Sequence, residues 1–182
     1  MLQLVADTLK LILRPPAQVD LPHHGRLATL FVALQAVPPP RPAHEIEDEI
    51  WAIWTSHGNA ALEARMQRAI SAIARRRLAE GKTILDALID TAPDWAEAWN
   101  KRATLHYLAQ RDLQSIADIH RTLELEPRHF GAICGFAQIC LRQGEIAAAI
   151  EAFVAALNLN PHLDGVRAML AQLAPKPPRH LN

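Results

Sequence analysis

Apolar side chains recur every three or four residues along most of the chain, and no segment alternates apolar and polar positions as a half-buried strand does. This period predicts helices throughout and therefore an all-α fold. The first helix is predicted over residues 1–14, where one face carries Leu2, Val5, Ala6, Leu9, Ile12 and Leu13. The others are predicted over residues 27–36, 45–57, 60–75, 78–91, 94–109, 113–125, 128–142, 146–157 and 163–173.

The prolines indicate how these helices are organised. Between residues 43 and 174 the only prolines are Pro93, Pro127 and Pro161, which are spaced 34 residues apart. Because proline cannot continue a helix, a fixed interval between prolines marks a helix end that repeats. The chain is thus predicted to contain three copies of a helix pair, over residues 62–93, 96–127 and 130–161.

When they are aligned on these prolines, the three copies also match in side-chain size. Small residues coincide at one position in each first helix and at one in each second helix, where a bulky side chain would force the paired helices apart. In chain order the small residues are Ala69, Gly81, Ala103, Ser115, Ala137 and Ala149, and the large apolar residues that coincide between pairs are Leu85, Ile119 and Phe153. An interval of 34 residues with this pattern resembles the tetratricopeptide repeat (TPR).

The resemblance to the TPR family covers residues 62–161 and is strongest in the third copy. The matching residues there are Phe136, Ala137, Gly144, Ala149, Phe153, Ala156 and Pro161. The second copy departs from the pattern in its inter-helix turn, at Arg111-Asp112. The first copy has arginine where the family has apolar or turn residues, at Arg65, Arg68 and Arg76-Arg77.

Membership of this family implies a right-handed α-α superhelix. Its three helix pairs are expected at residues 60–93, 94–127 and 128–161, followed by a capping helix over 162–174 and a disordered tail over 175–182. The helices of residues 1–59, with their proline-rich connectors, are expected to form an N-terminal cap on the first pair. Such caps cover the apolar surface that the end of a solenoid would otherwise expose.

The resemblance also implies a binding surface, because the first helix of each pair lines the concave side of the stack. The residues it places there are Glu63, Met66, Ile70 and Ile73 in the first pair, Glu97, Asn100, Thr104 and Tyr107 in the second, and Cys134, Gln138, Leu141 and Arg142 in the third. Some members of the family hold the C-terminal carboxylate of a chaperone with lysine, asparagine and arginine side chains. Only Asn100 matches that set here, so a peptide or helix with an apolar stretch is the expected partner.

Charge and motifs argue against several other functions. The 19 lysines and arginines balance 19 aspartates and glutamates, so the chain lacks the positive surplus that nucleic-acid binding needs. Gly81-Lys82-Thr83 resembles the end of a nucleotide-binding P-loop, but the glycine required five residues earlier is replaced by Arg76. The segment is also predicted to be helical, with no strand before it. Neither a nucleotide nor another cofactor is expected.

The residues that most often carry catalysis or bind metal show no functional spacing. The nine histidines are scattered, and no serine, cysteine or aspartate lies in a nucleophile motif. Cys134 and Cys140 lie on one predicted helix roughly 9 Å apart, too far for a disulfide. We therefore predict no catalytic residue and no metal ligand.

Two local features leave alternatives open. The basic run Arg75-Arg76-Arg77 is either a solvated turn or a docking patch for an acidic partner or anionic lipid. Trp99 is expected in the core, whereas Trp51 lies off the apolar stripe of its helix and either packs or forms an exposed contact.

Together these observations favour a non-catalytic scaffold that holds a segment of another protein. The alternative is a subunit that self-associates or lies on a membrane surface through the amphipathic helix of residues 1–14, although a packed helix is the preferred interpretation and a membrane partner the less expected one. A cytoplasmic location is favoured, or a periplasmic one if residues 1–14 are the remnant of an export signal.

Overall fold

The structure is a computed structural model that describes residues 1–14 and 24–173. All regular secondary structure in these ranges is helical, which confirms the all-α prediction. The predicted tail, residues 175–182, lies outside the described residues. The helices are α1 (Leu2–Ile12), α2 (His24–Gln35), α3 (Ala43–Thr55), α4 (Ala60–Ala74), α5 (Leu78–Thr91), α6 (Ala96–Leu108), α7 (Asp112–Leu125), α8 (Phe130–Gln143), α9 (Ile146–Leu159) and α10 (Asp164–Leu173).

Helices α4 to α9 form three packed pairs, α4 with α5, α6 with α7 and α8 with α9. Successive pairs contact each other through α5 with α6 and α7 with α8, so the chain forms an all-α solenoid. Helix α10 continues the stack by packing Val166, Leu170 and Leu173 near the apolar core that runs through the second and third pairs.

The small residues that coincide in the three copies allow the paired helices to approach closely. Ala69, Ala103 and Ala137 are buried, as are their counterparts in the second helices. At Gly81 a methyl group would lie 3.2 Å from Leu105 Cδ1 of the next pair and 3.5 Å from Ile73 Cγ1 of its own pair, so a larger side chain requires these neighbours to shift. Ser115 fits the equivalent position because its hydroxyl donates to the Ala103 carbonyl oxygen at 2.8 Å.

The turn inside each pair places one residue in the left-handed region. These residues are Arg76 (φ 59°), Gln110 (φ 58°) and Gly144 (φ 79°), again 34 residues apart. Only Gly144 adopts this conformation without a steric cost, because glycine has no Cβ. The departures of the first two copies from the repeat pattern therefore leave the turn geometry intact and introduce backbone strain.

Helix α1 packs against α7 and α9. Val5 and Ile12 are buried there, and the Thr8 hydroxyl lies 3.1 Å from His120 Nδ1. Three residues predicted on the same apolar face are instead exposed, which are Leu2, Ala6 and, after the helix has ended at Ile12, Leu13. The other three, Val5, Leu9 and Ile12, pack inside the molecule. Among the described helices, none combines the length and the apolar run needed to cross a bilayer.

Helices α2 and α3 form a hairpin whose position differs from the expected cap on the first pair. The core between α2 and α3 also includes Phe130 of the third pair, and Leu159 and Leu163 pack against it. Gln35 Nε2 donates to the Asn158 carbonyl oxygen at 2.8 Å, and His162 Nε2 lies 2.9 Å from the Leu34 carbonyl oxygen. The expected location fails because the outer face of α4 carries exposed Arg65 and Arg68, which offer no apolar surface to cover.

Candidate functional site

An open cleft lies between α6 and α8, the first helices of the second and third pairs. Its volume is about 180 Å³. The side chains around it are mostly small or neutral and polar, which leaves room for a segment of another molecule. Its lining consists of Asn100, Ala103, Thr104 and Tyr107 from α6, Ser115 and Ile119 from α7, and Gly131, Ala132, Cys134, Gly135 and Gln138 from α8.

Neutral hydrogen-bonding groups of the cleft face solvent on both of its walls. Thr104 and Gln138 are exposed, and Tyr107 is half-buried. Thr104 Oγ1 donates to the Asn100 carbonyl oxygen at 3.1 Å. Peptide groups and amide side chains are the natural partners of such neutral donors and acceptors.

The cysteine in the cleft is not a reactive thiol. Burial raises the pKa of Cys134 to about 12, and burial together with the charge of Glu145 raises the pKa of Cys140 to about 11. Both thiols are therefore protonated at neutral pH and behave as small apolar groups. Within the described ranges, no three His, Cys, Asp or Glu side chains come together as a metal site.

A buried polar network borders the cleft at the start of α6 and α8. The Glu97 carboxylate accepts hydrogen bonds from His129 Nε2 and Asn100 Nδ2, each at 2.9 Å, and lies 2.7 Å from Lys101 Nζ. His129 in turn caps α8, because its Nδ1 accepts from the Ala132 amide. Burial alone would raise the pKa of Glu97, but the hydrogen bond from His129 and the charge of Lys101 lower it below its ordinary value.

The other end of the cleft is closed by an ion pair. The Arg142 guanidinium lies 4.2 Å above the Tyr107 ring and is paired with Asp112, to which Gln143 also donates. Because its charge is already matched, Arg142 contributes an aromatic contact to the cleft and no unpaired positive charge.

Comparison with known proteins identifies the family. No family model matches the chain. A TPR repeat-containing protein of Rhizobium etli is 37% identical over 136 residues, which cover 75% of this chain and 67% of that protein. The chain belongs to the TPR family. This confirms the resemblance inferred from the proline interval, and it makes the chain a member of a family of protein-interaction scaffolds.

The TPR fold does not bring all of the predicted groove residues to one place. The cleft unites five of them, which are Asn100, Thr104, Tyr107, Cys134 and Gln138. Arg142 stands at its end, and Leu141 packs against the core. Those that lie outside it are Glu63, Met66, Ile70, Ile73 and Glu97.

Three of these outlying residues have roles inside the molecule. Met66 is fully buried in the core of the first pair, and Glu97 is equally inaccessible, so neither side chain is available to a partner. The Glu63 carboxylate accepts hydrogen bonds from Ser56 and from the amides of His57 and Gly58, at 2.8–3.0 Å. These backbone bonds lower the pKa of Glu63 and fix the turn between α3 and α4.

Two glycines of α8, Gly131 and Gly135, determine how closely other groups approach the TPR groove, and they were not among the predicted groove residues. A methyl group on Gly131 would lie 2.6 Å from Trp51 Cη2, so the indole of α3 rests directly on the backbone of α8. Gly135, one turn further along, has only Ile119 Cδ1 within 4 Å of the equivalent point, at 3.7 Å. Glycines inside a helical pattern signal close approach, and that signal was present in the sequence.

The structure also shows where the two tryptophans and the basic run of residues 75–77 lie. Trp51 is half-buried, with its ring centroid 5.5 Å from that of His129 and 5.6 Å from that of Phe130. Trp99 lies half-buried at the edge of the first core rather than inside it, where its Nε1 donates to the Pro93 carbonyl oxygen at 2.9 Å. Residues 75–77 are exposed, and Arg77 pairs with Glu80 at 3.0 Å.

Proposed function

We propose that this TPR protein is a non-catalytic scaffold that holds a segment of a partner protein in the cleft between α6 and α8. The observation that carries the proposal is the cleft itself, an open space of about 180 Å³ between two first helices of the stack. The small side chains of the α8 wall at Cys134 and Gly135 support the close approach of a peptide or helix.

Charge favours a neutral segment as the ligand. The cations next to the cleft are already paired, Lys101 with Glu97 and Arg142 with Asp112. A free carboxylate would find no unmatched positive charge there, which argues against the terminal carboxylate of a chaperone. Tyr107 and Gln138 would instead hydrogen-bond the peptide backbone, and the half-buried ring of Tyr107 would contact an apolar side chain.

Filling the cleft tests this proposal. Gly135→Phe places a ring in the cleft, because Gly135 lines it and has only Ile119 Cδ1 within 4 Å of an added Cβ, at 3.7 Å. The matched control is Ala147→Phe, which adds the same ring to an exposed position on α9. Tagged chains are compared by quantitative mass spectrometry of the proteins they capture, after circular dichroism has shown equal helicity.

We expect wild type and Ala147→Phe to capture the same partner, and Gly135→Phe to retain less than about a tenth of it, a loss equivalent to roughly 1.4 kcal/mol of binding free energy. Equal capture by all three chains would refute binding in the cleft.

A further inference from the structure

The hairpin of α2 and α3 extends along the same side of the solenoid on which the cleft opens. The surface that receives Trp51, called here the Trp51 subsite, is formed by His129, Phe130 and Gly131 at the start of α8. Lys101 of α6 lies over the indole at 5.1 Å. Gly131 also lines the cleft, so the Trp51 subsite and the open cleft are adjoining parts of one groove.

Trp51 thus binds the groove in the way that an aromatic side chain of a bound helix would. Its indole packs on a glycine, against two aromatic rings and beneath a cation, which is a typical arrangement for an aromatic anchor. The next glycine of α8, Gly135, lies one turn along, lines the cleft and has only Ile119 Cδ1 within 4 Å of an added methyl group. One part of the groove is therefore filled by the chain itself, and the adjoining part is empty.

Helices α2 and α3 pack on each other as a hairpin. Leu34, Ile46 and Ile50 are completely buried in their core, which also includes the buried Phe130 of the solenoid and contacts Leu159 and Leu163. The connection to α4 runs through residues 56–59, which are exposed and are held by hydrogen bonds to the Glu63 carboxylate. A hairpin joined to the solenoid by such a short, exposed connection can separate from α8 as a body without unfolding the solenoid.

The contact between the hairpin and the solenoid also contains a hydrogen-bond donor that has no acceptor among the described residues. Trp54 stacks on His129 with centroids 4.1 Å apart, and its carbonyl oxygen accepts from Trp95 Nε1 at 2.8 Å. Its own Nε1, however, is buried and finds no acceptor among the described residues. A buried donor without an acceptor weakens the docked state relative to an open one, in which water supplies the missing bond.

From these contacts we infer that α3 is a displaceable intramolecular ligand of the groove, and that the partner carries a helix with an aromatic side chain that replaces Trp51 on Gly131. This inference rests on the proposed function of the groove. It adds that binding is controlled by the chain itself: the partner engages the open cleft first and the Trp51 subsite when α3 leaves. The apparent affinity is then reduced by the fraction of molecules in which α3 is docked.

The first test measures hydrogen exchange of residues 43–55 in the full chain by mass spectrometry. Gly131→Ala forces its methyl group into Trp51, whereas the matched variant Gly135→Ala adds the same methyl group at ordinary van der Waals distance, 3.7 Å from Ile119 Cδ1. Both substitutions improve helix propensity equally. We expect exchange in α3 to accelerate about tenfold in Gly131→Ala and to stay at the wild-type rate in Gly135→Ala, with α8 protected in both. Unchanged α3 exchange in Gly131→Ala would overturn the inference.

The second test supplies the aromatic helix from outside. The probe is a fluorescein-labelled peptide with the sequence of residues 43–55, titrated by anisotropy into the full-length wild type and into full-length Trp51→Ala. We expect the variant to bind the peptide about tenfold more tightly, because its Trp51 subsite is vacant. A peptide in which the tryptophan at position 51 is alanine should lose that gain. Equal binding by both chains, or no binding by Trp51→Ala up to millimolar concentration, would overturn the inference.

If two chains exchanged hairpins, the Trp51 of a second copy would fill the same subsite. The molar mass measured by light scattering distinguishes this exchange from an intramolecular contact. A monomer mass for the wild type supports the intramolecular ligand, whereas a dimer mass overturns it. Neither test uses a partner. If α3 proves to be fixed while Gly135→Phe still abolishes capture, this inference fails and the proposed function stands.

Discussion

The network around Glu97 gives the sharpest prediction about stability. Its carboxylate is fully buried and holds His129, Asn100 and Lys101 together at the junction of α3, α6 and α8. Glu97→Ala removes the acceptor and leaves two buried donors and a cation without their partner. A buried donor left without an acceptor costs about 1–3 kcal/mol, so the two donors of His129 and Asn100 predict a loss of about 2–6 kcal/mol in the free energy of unfolding.

Urea unfolding at pH 7, followed by circular dichroism, measures this loss. Glu124→Ala is the matched control, because Glu124 is exposed and its removal should change stability by about 0.5 kcal/mol or less. A cost below about 1 kcal/mol for Glu97→Ala would refute the reasoning that the network is a buried structural element.

The pH dependence supplies an independent check on the same residue. The pKa of Glu97 is lower in the folded chain than its ordinary value of 4.5, so the ionised form stabilises the fold. That contribution is complete above about pH 4.5 and is lost as the pH falls through the folded-state pKa. The stability difference between wild type and Glu97→Ala should therefore shrink below about pH 4.5, whereas a constant difference across that range would contradict the assignment.

Two further predictions follow from the repeat geometry. Gln110→Gly should raise the free energy of unfolding by about 0.5–1 kcal/mol, because residue 110 adopts φ 58°; an equal or lower urea midpoint would contradict the strain argument. Phe153→Ala should lower stability by about 3–5 kcal/mol, since Phe153 is buried between pairs, and the exposed neighbour variant Val154→Ala should change it by about 0.5 kcal/mol or less; similar losses in both would contradict the assigned core.

The repeat could be predicted from the sequence because its determinants are local and periodic. Pro93, Pro127 and Pro161 mark the helix ends, and residues such as Ala103 and Ser115 recur where helices touch. Each of these signals lies within one copy and is repeated in the next. The period therefore determines both the helix pairs and their stacking order.

The position of the hairpin could not be predicted, because its contacts join residues far apart in the chain. Gln35 meets Asn158, and Trp51 meets Gly131, without any periodic relation between them. For the same reason the repeat pattern places Met66 and Glu97 on the concave face of their helices but does not predict that other side chains bury them there.

The most direct measurement of where a partner binds is site-specific photo-crosslinking. A benzoylphenylalanine replaces Gln138 in the cleft or, as the control, Ala147 on the outer face of α9; both positions are exposed. We predict that irradiation in cells links a partner protein to position 138 and leaves position 147 unlinked. Equal crosslinking at both positions, or a partner linked at position 147 alone, would contradict it.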